Sequence, residues 1–319
     1  MGICKDNYST DGIGGKIVKA SFESIVDVTA IGGQNSAKIH ELLTLASKEE
    51  LVQSVQDTDR VLFLGIDFQN DFMENGGLAV PNSHQDVANV TRFIYDNMER
   101  ITTIAVSIDT HEPQQIFHPS WWVDLSGHNP EPLTIISAED VDNGKWKPVE
   151  HYEVSKDYVH NLEKLGKKQL CIWPYHCLQG TNGAALESQF SNMIHFHSIA
   201  RKSKLQKIVK GLDPLSEMYG IIKAEYDRSD YCNHEFLQSL KGYDKIIIAG
   251  EAKSHCVLES VKQIAEHYAK DREITSRIFL LEDCMSPITG FEESTNEEFK
   301  QLQIQYGINI VSSNSFSMD

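Results

Sequence analysis

Six short apolar runs, each separated from the next by residues at helical spacing, restrict the fold of this chain more than any other feature. VLFLGID (61–67), ITTIAVSID (101–109), KIVKG (207–211), DKIIIAGE (244–251), SRIFLLED (276–283) and GINIVSS (307–313) have strand length and the Ile/Val/Leu content of strands buried on both faces. Between them, Val87, Val90, Ile94 and Met98 form one helical stripe and Val257, Val261, Ile264 and Tyr268 another. Phe299, Leu302 and Tyr306 form a third, which Gly307 ends. Buried strands alternating with amphipathic helices predict a three-layer α/β/α domain around a mainly parallel six-stranded sheet, with ligands bound beyond the carboxyl ends of the strands.

The rest of the chain flanks or interrupts that pattern. Residues 1–58 read as an N-terminal arm that packs on the domain or on a neighbouring subunit. Ile39, Leu42, Leu43 and Ala46 lie at helical spacing there, and Ser47 with Glu50 looks like a capping box opening a further short helix. Residues 59–319 form the main domain, and the long, weakly periodic stretch 119–172 reads as an insertion that closes over the site. A formal net charge of −17 excludes a phosphate-backbone partner, since binding nucleic acid needs concentrated Lys and Arg. No apolar run is long enough to span a bilayer, and the opening MGICKDNYSTDG lacks the apolar stretch of a signal peptide, so a cytoplasmic protein without a membrane partner is expected. Gly2 and Cys4 suggest acylation, but Asp6 stands where the acylation pattern has Ser or Thr. Six cysteines without a CxxC pair point to reduced thiols.

The chemically suggestive residues fall at the strand ends, as the fold class demands. Cys256 follows the fourth run by a short turn, where a helix start would favour its thiolate and where the N–H groups of Ala252 and Cys256 could hold an oxyanion. Asp67 ends the first run and could serve as general base to that thiol, or simply cap the following turn. Lys210 could pair with Asp67, or lie on the surface. Asp109 and His111, one residue apart at the end of the second run, can converge on one ion, with His176 a third ligand and His118 a fourth. That donor set suits zinc, iron or manganese. Taken singly these signals are weak, since a lone cysteine is more often structural and thirteen histidines leave room for chance.

Taken together, the segments resemble the nicotinamidase family of cysteine hydrolases in the isochorismatase-like superfamily. DFQNDF (67–72) matches the family's aspartate motif, D-x-H (109–111) its metal pair, WPYHCLQGTNGA (173–184) its W-P-x-H-C signature, and GEAKSHCV (250–257) its nucleophile turn, in the right order. The resemblance spans roughly residues 60–313 and implies the isochorismatase-like hydrolase fold. It also implies a triad of Asp67, Lys210 and Cys256, metal ligands Asp109, His111 and His176 with His118 varying among relatives, and a cis peptide between Glu251 and Ala252 that aims a backbone N–H at the oxyanion. Phe72, Trp173 and Tyr219 would flank a flat ring. The implied reaction is hydrolysis of a small primary carboxamide, nicotinamide first, through a cysteine thioester, with a divalent metal, zinc before iron or manganese, binding the ring nitrogen. Ureido or carbamoyl substrates on the same fold, or a binding module that has lost turnover, are the alternatives. Association into a homo-oligomer is also compatible with this fold.

Overall fold

The computed structural model describes residues 18–165 and 168–318. The Gly2, Cys4 and Asp6 reading lies outside them. The six apolar runs become β1 (Val61–Ile66), β2 (Thr103–Asp109), β3 (Gln206–Lys210), β4 (Lys245–Gly250), β5 (Ile278–Leu281) and β6 (Asn309–Val311), in the spatial order β6-β5-β4-β1-β2-β3. Every pairing is parallel. The strand order reverses at β1, so the loops leaving β1 and β4 diverge and open a crevice between them, which is where open α/β sheets bind ligands.

Alternate residues of each strand point to opposite faces and build two cores. Phe63, Ile104, Val106 and Ile247 pack with the helices Ser83–Asp96 and Ser188–Ala200 on one side. Leu62, Leu64, Ala105, Ile246 and Ile248 pack with the helices Leu258–His267 and Glu292–Tyr306 on the other. Gly307, in the left-handed region at φ 75°, closes the last of these helices. No helix among the described residues is long and apolar enough to cross a membrane.

The described part of the N-terminal arm is built into this domain. Phe22, Ile25, Leu42 and Ala46 belong to the first core, with the helix Ile39–Ala46 formed as its spacing predicts. Arg201, fully buried, donates to both carboxylate oxygens of Asp57 at 2.7 and 2.5 Å and fastens the end of the segment. The capping box expected at Ser47 and Glu50 does not form. Ser47 instead ends the preceding helix, and the Glu49 carboxylate accepts the Lys19 and Ala20 amides, drawing that stretch into tertiary contacts rather than a new helix.

The insertion is a small lobe with a core of its own. Two short antiparallel pairs, Trp122–Val123 with Lys147–Pro148 and Ile135–Ile136 with Leu170–Cys171, hold the helices Ala138–Asp142 and Tyr152–Lys164. Trp121, Trp122, Val141, Tyr158 and Leu162 fill it, with Phe117 and Trp173 at its border with the main domain. Its periodicity was faint because, outside the helix Tyr152–Lys164, the apolar residues sit on pieces too short to show one.

Candidate active site

The site lies at the carboxyl end of the sheet, at the crevice between β1 and β4. The chain leaves β1 through Asp67, a buried residue at φ 46°, a left-handed conformation that Asp tolerates better than most side chains. Ser107, the one polar side chain in an otherwise apolar stretch of β2, donates to Asp67 Oδ1 at 2.5 Å and accepts from its backbone N–H at 3.0 Å. Lys210, the last residue of β3, sends Nζ to within 2.9 Å of both Asp67 Oδ2 and Asp109 Oδ1, and its side chain is fully buried. Both contacts are close ion pairs. Nζ also donates to Met218 O at 3.2 Å and reaches Cys256 Sγ at 3.8 Å. The expected triad therefore converges.

Burial and charge set the protons of this cluster. Burial alone would strip the Lys210 proton, but Asp109 and Asp67 outweigh it and push the ammonium well above its usual range. Burial likewise raises Asp109, but His111 and Lys210 overcome it and hold the carboxylate well below its usual range. For Asp67, burial prevails over Lys210 and pushes the carboxyl up. The Cys256 thiol is also pushed well up by burial, with Lys210 pulling the other way. This differs from the expected thiolate. Cys256 sits inside the irregular turn Lys253–Val257, two residues before the regular helix starts at Leu258, and the loss of water outweighs any helix dipole.

The turn carrying Cys256 has the cis peptide between Glu251 and Ala252 that the resemblance implies, and Ala252 lines the cavity beside the thiol. Behind it the fully buried Glu251 carboxyl hydrogen-bonds Asp86. Burial and the Asp86 charge push Glu251 well up, and burial pushes Asp86 up to about 6, so the pair shares a proton.

Asp109, His111 and His176 bring one donor atom each within 4.8 Å of one another. His111 Nδ1 lies 3.2 Å from Gly211 O and His176 Nδ1 lies 2.8 Å from Pro174 O, carbonyls to which each Nδ1–H can donate while Nε2 serves as the ligand atom. Both Nε2 atoms face Asp109 Oδ2, at 2.9 and 3.7 Å. One carboxylate and two imidazole nitrogens so gathered fit a divalent metal. His118 is beside the cluster rather than in it, with ring centroids 5.9 Å from His111 and 6.2 Å from His176, and its buried Nε2 has no hydrogen-bond partner.

Several residues that hold the site were not singled out from the sequence. Gln69, fully buried, donates to Asp109 O at 2.8 Å and Ala184 O at 2.9 Å and accepts from Asp109 N–H at 2.7 Å, so the first motif aims the metal carboxylate. Asp71 accepts the Cys177 amide at 2.6 Å, and a Cβ on Gly183 would stand 2.0 Å from its Oδ2, so the loop 173–184 seats only with glycine there. Gly211, at φ 79°, leaves room for Asp109 and His111, which a Cβ would meet at 2.7 and 2.6 Å. Position inside the matched motifs was the available signal for Gln69, Asp71 and Gly183. Ser107, a polar residue in an apolar run, carried its own.

Above Cys256 lies a partly open cavity of about 30 Å³, lined mainly by apolar and aromatic side chains, with Phe72, Leu78, Trp173, His176, Tyr219 and Ile288 among them. The three expected ring contacts, Phe72, Trp173 and Tyr219, all reach it. No residue of 119–172 does, so among the described residues the insertion supports the wall from behind rather than closing over the site.

The geometry agrees with what known proteins show. The chain is 25% identical over 203 residues to the nicotinamidase of Escherichia coli (strain K12), spanning 62% of this chain and 72% of that protein. Its fold matches an Acinetobacter baumanii nicotinamidase/pyrazinamidase (TM-score 0.55, 17% identity, 81% of this chain and 98% of the other). It also matches a yeast nicotinamidase bound to the inhibitor nicotinaldehyde (TM-score 0.55, 19% identity, 79% and 99%). The chain has the fold of the nicotinamidases. No family model matches it. Its N-terminal segment and the lobe 119–172 pack around that sheet.

Proposed function

We propose that the protein hydrolyses a small primary carboxamide, nicotinamide in the first instance, through a thioester on Cys256. One observation carries this reading: Asp67 and Cys256 flank the Lys210 ammonium, at 2.9 and 3.8 Å, and Cys256 opens into a cavity with aromatic walls. Relatives that are nicotinamidases by name support the choice of substrate.

In the proposed reaction the Cys256 proton passes to Asp67 as Sγ attacks the carboxamide carbon, and Lys210 balances the negative charge left on sulfur. The backbone N–H groups of Ala252 and Cys256 donate to the oxyanion. The C–N bond breaks as Asp67 returns the proton to nitrogen, which departs as ammonia. Water then attacks the thioester carbon, gives its proton to Asp67, and releases the acid as the thiol reforms. The raised pKa of both Asp67 and Cys256 suits this exchange, because neither a free thiolate nor a permanently ionised base is favoured in so dry a site. Asp109, His111 and His176 would hold the divalent metal, zinc or else iron or manganese, with His118 alongside. When bound, that ion supplies a fixed positive point for a ring nitrogen of the substrate.

The test is ammonia release from nicotinamide by the purified protein beside Cys256→Ala, with and without a chelator. Release that vanishes in the variant and falls on chelation is expected. No release from the wild type at any metal loading would remove nicotinamide and direct assays to ureido and carbamoyl compounds.

A further inference from the structure

The cavity wall contains a buried acid that the proposed chemistry does not use. Glu217 is 3% exposed and has no ionic partner within salt-bridge distance among the described residues. Three aromatic donors converge on its carboxylate: Tyr219 OH at 2.6 Å and Trp173 Nε1 at 3.2 Å on Oε1, and Tyr158 OH at 3.2 Å on Oε2. Trp173 Nε1 also donates to Tyr219 OH at 3.0 Å, closing a ring of contacts that crosses the two side chains at an interplanar angle of 86°. The Glu217 backbone is fixed as well, since its N–H donates to Tyr158 OH at 3.0 Å and its carbonyl accepts from Glu225 N–H at 2.9 Å. Tyr158 belongs to the lobe's helix Tyr152–Lys164, whereas Trp173, Glu217 and Tyr219 line the cavity.

A carboxylate is acceptor-only and can take several donors at once, so it can aim three rings from three segments together. Leaving it buried costs free energy unless those donors are present, which makes the arrangement all-or-none. We propose that Glu217 is the positioning residue of the substrate wall, holding Trp173 and Tyr219 at the spacing that admits one flat ring and making that spacing depend on the insertion lobe through Tyr158. This deepens the proposed function and rests on it, in that the wall is taken to bind the substrate ring. The Glu217 carboxylate accepts from Tyr158, Trp173 and Tyr219 and from none of Asp67, Lys210 and Cys256, which places its role in binding rather than in chemistry.

The experiment compares the metal-loaded full chain as wild type, Glu217→Met, Glu217→Gln and Tyr158→Phe. Steady-state nicotinamide hydrolysis and near-ultraviolet circular dichroism, which reports how Trp and Tyr rings are held, are measured in parallel. Met removes the acceptor and should raise KM about tenfold while kcat changes less than about threefold. Gln keeps one acceptor oxygen for Trp173 and Tyr219 and should restore most of the affinity. Tyr158→Phe, which lies outside the cavity, should move KM the same way by a smaller factor. The dichroism of Glu217→Met should lose the band that Trp173→Phe loses. A loss in kcat at unchanged KM, or Gln no better than Met, would overturn the proposal. If Glu217→Met does not fold, Gln and Tyr158→Phe decide it by the same criteria. If the wild type does not turn over nicotinamide, the proposed substrate fails separately, and the dichroism still decides whether Glu217 holds the wall.

Discussion

The floor and the wall of the cavity are built in opposite ways. The floor rests on ionisable groups fixed by strands: Asp67, Asp109 and Lys210 stand at the ends of three strands adjacent in the sheet, all three are buried, and of them Asp109 reaches the cavity. The wall consists largely of aromatic rings, two of which, Trp173 and Tyr219, come from loops and are steadied by hydrogen bonds to a single acid, with the insertion behind it. Strand ends fix an atom closely because the hydrogen-bonded ladder beneath them cannot shift register without turning every side chain to the other face. A loop wall can change without disturbing that ladder. In the proposed function the bond-breaking step belongs to the floor and the choice of substrate to the wall.

The largest expected effect is on the floor. Lys210→Met leaves Asp67 and Asp109 buried without their shared cation, which should cost about 3–5 kcal/mol in unfolding free energy and remove hydrolysis altogether. Denaturant unfolding and ammonia release check this, and a variant as stable and active as the wild type would break the division between floor and wall. Trp122→Ala tests the lobe behind the wall. Trp122 is fully buried and its Nε1 donates to Ile116 O at 2.7 Å, so its loss should cost about 3–5 kcal/mol and raise KM. The rate at which iodoacetamide alkylates Cys256 should stay within about twofold, because the floor is untouched. A large change in alkylation rate would mean that lobe and floor are mechanically one unit.

The smallest effect concerns the acid pair behind the nucleophile turn. Asp86, pushed up to about 6 by burial, binds its proton more tightly in the folded than in the unfolded chain. Its contribution to stability is therefore full below the ordinary carboxyl range and is lost as pH rises through about 4 to 6. Asp86→Asn cannot lose a proton, so its Tm relative to wild type should rise by a few degrees between about pH 4 and pH 7. A difference that stays flat over that range would mean that Asp86 is not protonated in the folded state.

The floor was more legible in the sequence than the wall, for a physical reason. Strand burial leaves a local mark in β-branched and Leu runs, and each catalytic candidate stood at the end of one, so periodicity located Asp67, Asp109 and Lys210 before any geometry was known. The Glu217 contacts leave no such mark, because Tyr158, Trp173, Glu217 and Tyr219 come from segments with no shared period. The cysteine's protonation was misjudged because helix position can be read from a string of residues, whereas depth of burial depends on what the rest of the chain folds over it. Ser47 and Glu50 erred likewise, since a local capping pattern gave way to the longer-range pull of Glu49 on residues 19 and 20.

Lys210 also constrains the order in which the molecule can come together. An ammonium enters a dry interior at acceptable cost only alongside its counter-charges, and here these arrive on β1 and β2, strands distant in sequence from β3. Helices and single strands can form earlier, but β3 cannot dock on the edge of β2 until both carboxylates are seated. Catalytic competence should thus be the last property to emerge as the chain folds, and among the first to go when it loosens.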